Sequence, residues 1–115
     1  MPRRFHPLPV FLAAALLAAA PAHASIERAQ AAQARGDLRA AQIELRNAAR
    51  ATPGDAAIRA ALAAASLDLG DGDTAEKEAR AALERGYDPV AGTALLLRAY
   101  LALGRTRDLL RDFPV

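Results

Sequence analysis

Between positions 68 and 78 the chain gathers Asp68, Asp71, Asp73, Glu76 and Glu78, its densest run of oxygen ligands. Carboxylates at alternating positions hold calcium between two helices when a bidentate Glu closes the loop at its twelfth position. Glu76 and Glu78 come too early for that role. A polar turn between helices, with Asp73 capping the helix that follows, explains the same residues. Glycoside chemistry needs two carboxylates flanking a cleft at a set separation, and no motif builds such a pair. Both histidines, His6 and His23, lie in the apolar N-terminal segment, and the chain has no cysteine and no tryptophan. Past residue 24 the chain therefore lacks the commonest general base, the commonest metal ligand and the strongest nucleophile. The missing cysteine also excludes disulfides and a bacterial lipoprotein anchor, which is attached to a Cys. The expectation is a protein without catalytic residues, metal or cofactor.

The histidines are placed by a segment with its own logic. Arg3 and Arg4 precede an apolar run from Leu8 to Ala20 broken only by Pro9. Pro21 closes the run, and Ala22-His23-Ala24 supplies a small-x-small site. These are the three parts of a secretory signal. A helix of that length rises about 20 Å, short of the roughly 30 Å hydrocarbon core of a bilayer, so a membrane anchor is the poorer reading. The expectation is a signal peptide over residues 1–24, cut between Ala24 and Ser25. The product would be periplasmic or secreted, with no transmembrane anchor after cleavage.

Cleavage changes the charge balance. The whole chain carries 15 basic and 13 acidic residues. Arg3 and Arg4 leave with the signal and no carboxylate does, so 13 of each sign remain. The remaining charges alternate along the chain, as solvated helix faces do. No basic surface is left to recruit nucleic acid, and fewer than about 100 residues make a single domain with a small core.

What must position any functional side chain is a repeat. Gly36, Gly70 and Gly104 are evenly spaced, and the pairs Ala41 and Ala75, and Ala48 and Ala82, share the same interval. That interval is the period of about 34 that helix–turn–helix repeats show. Pro53 and Pro89 depart from it, standing slightly further apart. Glycine takes the left-handed backbone that ends a helix, small residues let two helices approach closely, and the Ala-rich stretches between have high helix propensity. Asp55 and Asp88-Pro89 mark helix starts, and Asp73-Thr74-Ala75-Glu76 has the spacing of a capping box. Helices are expected at about 25–35, 38–51, 56–69, 74–85, 90–103 and 106–112, in units of about 25–54, 55–88 and 89–115.

This pattern resembles the tetratricopeptide-repeat (TPR) family. In that family a Gly, often followed by Asp, ends the first helix, as in Gly36-Asp37 and Gly70-Asp71. Small residues at Ala41, Ala48, Ala75 and Ala82 and a Pro after the second helix, here Pro53, fit the same pattern, and Tyr100 before Gly104 stands where the family often has an aromatic. The resemblance implies an all-α fold of antiparallel helix pairs in a short right-handed solenoid of about two and a half repeats. A narrower likeness runs through Gly36 to Ala48, Ala79 to Pro89 and Arg98 to Gly104. These segments are similar to TPR-repeat lipoproteins of PEP-CTERM/exosortase systems, longer proteins that associate with exopolysaccharide export and surface-protein sorting.

In TPR proteins the first helix of each unit lines a concave face that holds peptides or partner helices. The corresponding residues are Ile26, Gln30, Gln33, Ala60, Ala64, Leu67, Asp68, Ala94, Arg98 and Leu101. The implied function is a non-catalytic protein-interaction adaptor with a protein or peptide partner. The alternative is an N-terminal or truncated structural segment of a longer scaffold with no separate activity. Leu95-Leu96-Leu97, Leu101 and Leu103 cover more than one face of a helix. The segment after Gly104 is half the usual length, so part of that surface is expected to stay open to a partner or to a second copy through the C-terminal helices.

Overall fold

The computed structural model describes residues 21–114. They form six helices and, among the described residues, no strand: α1 (Pro21–Ala34), α2 (Leu38–Ala51), α3 (Ala56–Asp68), α4 (Gly72–Glu84), α5 (Pro89–Ala102) and α6 (Thr106–Asp112). Of the expected signal, residues 1–20 lie outside the described residues, and residues 21–24 form the start of α1. No described helix is long and apolar enough to cross a membrane.

Aspartates set the starts of α2 to α5. Asp37, Asp55 and Asp88 each accept the backbone N–H three residues on, at 3.1, 3.1 and 3.0 Å, satisfying donors that the first turn leaves free. The fourth helix departs from expectation. It starts at Gly72, because the capping carboxylate is Asp71, which accepts the Thr74 N–H at 3.2 Å. Asp73 falls in the first turn instead, where its charge favours the positive end of the helix dipole.

Helix ends are set by glycine. At Gly70 (φ 75°) the Gly70 N–H donates to Leu67 O and the Asp71 N–H reaches back to Ser66 O at 2.8 Å, the two-bond Schellman closure. A β-carbon there would meet nothing within 4 Å, so the backbone angle, not space, selects glycine. The same bonds recur at Gly36 and Gly104, and once outside the period at Gly86, which closes α4. The turn after α2 is built differently, on Thr52 (φ −132°) and Pro53. Pro53 and Pro89 are consequently not equivalent: Pro53 lies in a turn, and Pro89 is the first residue of α5. That difference accounts for their wider spacing.

Short turns reverse the chain, and each helix packs on the next; α3 also meets α5, and α1 meets α3. Ala41, Ala75 and Ala82 are fully buried and Ala48 nearly so, the small side chains that close approach requires. One core cluster joins α1, α2 and α3 around Leu45, Ile58 and Leu62. A second joins α3, α4 and α5 around Ala63, Ala79, Leu96 and Tyr100. Between these layers one polar link recurs with altered chemistry. Gln42 Nε2 donates to Ser66 Oγ (3.1 Å) and Asp71 Oδ2 (3.0 Å). One period after Gln42, Glu76 accepts from Arg105.

The short α6 has no buried residue. Tyr100 holds it: its hydroxyl donates to Asp112 Oδ2 at 2.8 Å, Phe113 meets its ring edge-on, and the Arg80 and Arg105 guanidiniums lie 5.5 and 5.0 Å from its centroid. Leu109 and Phe113 add apolar contact to the second cluster. The hydrogen bond to the charged Asp112 contributes about 1.5–3 kcal/mol and the Arg105 cation–π contact about 0.5–1 at an exposed site; Arg80 reaches α6 through Asp112 at 3.6 Å, so polar contacts carry much of the docking of this helix.

Candidate functional site

One side of the molecule is formed by α1, α3 and α5. On it lies a cleft of about 490 Å³, floored by Ala57, Ala60, Ala61 and Ala64 of α3 and walled by Ile26, Tyr87, Ala91, Ala94, Leu95 and Arg98. A smaller hollow of about 170 Å³ continues it towards α1, lined by Ala29, Gln30, Gln33 and Leu45 and sharing Ile26, Ala61 and Ala64. The floor is low because alanine ends at Cβ. Positions 57, 60, 61 and 64 follow i, i+3, i+4, i+7 spacing, one face of a helix, and 91, 94, 95 and 98 repeat it one period on.

Of the residues expected to face a partner, Ile26, Gln30, Gln33, Ala60, Ala64, Ala94 and Arg98 line this continuous groove. Leu67, Asp68 and Leu101 do not. They lie about one turn past Ala64 and Arg98, roughly 4.5–6 Å further along their helices. Sequence reasoning passed over Ala57, Ala61, Ala91 and the turn residue Tyr87 and assigned Leu95 to the C-terminal apolar face rather than to the groove. The signal for the helical four was present, since each stands one period from its counterpart on the same face. Nothing in the spacing announces Tyr87.

Chemically the groove is apolar with polar ends. Among the described residues, Arg98 is the one charged side chain on the larger cleft's lining. It is exposed and has no hydrogen bond or ion pair among those residues. The volume falls in the range of ligand sites. The arrangement suits an apolar segment carrying a carboxylate where it meets Arg98.

The acidic run elsewhere is dispersed into separate contacts. Asp71 caps α4, and its carboxyl lies below the usual range: burial alone would raise it, but hydrogen bonds from Thr74 and Gln42, with Arg46 nearby, outweigh that. Glu76 pairs with Arg80 and Arg105, and Glu78 with Arg59. Among the described residues no three His, Cys, Asp or Glu side chains gather in a metal-holding group.

At the C-terminal end the leucine run divides. Leu96 is buried, Leu95 and Leu97 are half-buried, and Leu101 and Leu110 are 64% and 55% exposed. Val90 is 80% exposed beside a shallow hollow lined by Pro89, Thr93, Ala94 and Leu97. No protein-family model, curated protein or solved structure matches the chain.

Proposed function

We propose that the chain is an exported, non-catalytic binding module of the tetratricopeptide type, whose α1–α3–α5 groove holds a peptide or helix of a partner protein. The observation that carries this reading is the alanine-floored stripe at 57, 60, 61 and 64. Its spacing recurs one period on in α5 as Ala91, Ala94, Leu95 and Arg98, and with Ile26 of α1 these open into one groove. The left-handed glycines at the same period and the aspartate caps that follow Gly36 and Gly70 support the family reading. Export rests on the basic start, apolar run and A-x-A site of residues 1–24. The likeness of Gly36 to Ala48 to proteins of PEP-CTERM/exosortase systems points to surface export as the setting.

Recognition then combines apolar anchors set between the alanines with one acidic group against Arg98. Peptides selected from a random library on the immobilised chain test this. The expected consensus has two apolar residues at helical spacing and an Asp or Glu, and Arg98→Glu weakens those peptides at least roughly tenfold. Peptides that bind wild type, Arg98→Glu and a groove-filled Ala64→Trp variant equally would remove the groove from the account.

The exposed Val90, Leu101 and Leu110 favour a second reading, pairing of two copies through their C-terminal helices. Sedimentation of the chain beside a Leu97→Glu, Leu101→Glu variant decides it. A concentration-dependent dimer lost in the variant supports pairing, and a wild-type monomer at tens of micromolar rejects it.

A further inference from the structure

On the opposite side of α3 from the groove, a cavity of about 330 Å³ opens between α2, α3 and α4. Its lining holds four cations, Arg46, Arg50, Arg59 and Lys77, and one carboxylate, Glu78. Glu78 is already engaged: its Oε2 lies 2.9 Å from Arg59 Nη1. The nearby Pro53 carbonyl already accepts from Arg59 (3.3 Å) and Arg85 (2.8 Å). Arg46, Arg50 and Lys77 are left with no hydrogen bond or ion pair among the described residues. Arg46 feels Asp71 only at a distance, and that carboxylate is held by Gln42 and Thr74.

The repeat supplies an internal control. One period along, Arg46, Arg50, Arg59, Thr74, Lys77 and Glu78 become Arg80, Glu84, Thr93, Asp108, Arg111 and Asp112. That set has two cations and three carboxylates, and both cations are paired within it: Arg80 with Asp112 at 3.6 Å, and Arg111 with Asp108 and Asp112 at 3.1 and 3.0 Å. With Thr93 where Arg59 stands, that position sends no cation to compete with Arg80 for Asp112. In the first cleft Arg59 has captured the carboxylate that Arg46 would otherwise use. Arg46 and Arg50, like charges at i and i+4 on one helix, also repel. The position of Arg50 in the last turn of α2 favours its charge there, but that does not account for Arg46 or Lys77. The cations at this fold position are therefore all paired in one unit, whereas in the other three of the four lack a carboxylate partner among the described residues.

We infer that the α2–α3–α4 cleft is a binding site for a phosphate monoester on a small polar body. Two guanidiniums and an ammonium match a doubly charged tetrahedral oxyanion better than a single carboxylate, and arginine engages phosphate in a bidentate way. The volume is that of roughly ten waters at about 30 Å³ each, so a sugar-sized body fits beside the phosphate. The site is independent of the groove, on a different face and with opposite chemistry.

Titration of the ¹⁵N-labelled full chain at low salt with glucose 6-phosphate, inorganic phosphate, glucose and glucuronate tests it. Saturable shifts at the Arg46, Arg50 and Lys77 amides are expected with glucose 6-phosphate, weaker ones with inorganic phosphate, and none with glucose. Arg46→Gln with Lys77→Gln should weaken binding roughly tenfold or more. The charge-matched Arg39→Gln, Arg107→Gln variant, which alters two exposed cations elsewhere, should leave it unchanged. Three results would overturn the assignment: shifts spread over all exposed arginines, equal losses in both double variants, or glucuronate binding as tightly as glucose 6-phosphate.

Discussion

Glu78→Gln is the substitution whose cost follows most directly from the coordinates. Glu78 Oε2 and Arg59 Nη1 are 2.9 Å apart, with side chains only 5% and 17% exposed, and the pair ties α4 to α3. Charge centres about 4 Å apart attract by about 4 kcal/mol at an effective dielectric near 20, and desolvation cancels part of that. Gln keeps the shape but leaves the half-buried Arg59 without a countercharge. Breaking one side of a buried pair costs about 3–5 kcal/mol. Arg59 keeps some solvent and its bond to the Pro53 carbonyl, which places the loss at or just below the low end of that range, about 2–3 kcal/mol. Removing both charges, Arg59→Met with Glu78→Met, should recover most of the deficit because no charge is then stranded. Urea unfolding followed by helical circular dichroism, on wild type, Glu78→Gln, the Arg59→Met and Glu78→Met singles and their double, gives the cost and the coupling energy. A Glu78→Gln cost below about 0.5 kcal/mol would put the pair in the class of surface ion pairs and refute the argument. So would a double variant as unstable as the sum of its singles.

Ala75 is fully buried and Ala57 is exposed on the groove floor. Ala75→Leu should therefore cost about 1–3 kcal/mol by overpacking, while Ala57→Leu leaves thermal stability unchanged and only obstructs the groove; equal melting temperatures would contradict this packing. Asp71, with its carboxyl held below its ordinary value of 3.8, contributes stability that is full above that value and lost as pH falls through the lower folded one. The advantage of wild type over Asp71→Asn should accordingly shrink below about pH 4, and a pH-independent difference would reject it. For export, N-terminal sequencing of the product should read Ser-Ile-Glu from Ser25, and an intact Met1 on cytosolic protein would end that claim.

The helices and the glycine period were legible because they depend on local residues: a left-handed angle at Gly70 and a carboxylate three residues before a free N–H. Asp73 fits a capping box by its distance to Glu76, yet Asp71 is the cap. It wins because the Schellman closure at Gly70 delivers the chain to the next helix at that residue. The groove was legible where one helical face repeats, as at Ala60 and Ala94, and not where a turn contributes, as at Tyr87. Ion pairing was not legible. Arg46 and Arg80 occupy matching positions, yet Arg59 on a neighbouring helix takes the partner of the first and Thr93 leaves that of the second. Such a choice depends on which side chain reaches, and spacing along the sequence does not encode it.

The α1–α3–α5 groove is the proposed working surface of this protein. Site-specific photo-crosslinking in the cells that make it puts that surface to the test, with the reactive side chain placed at Gln30 or Ala57 on the groove and at Arg39 on an exposed face away from it. One adduct of the same mass is expected from both groove positions, lost in an Arg98→Glu background, and none from Arg39. An adduct formed from Arg39 while Gln30 and Ala57 form none would contradict it.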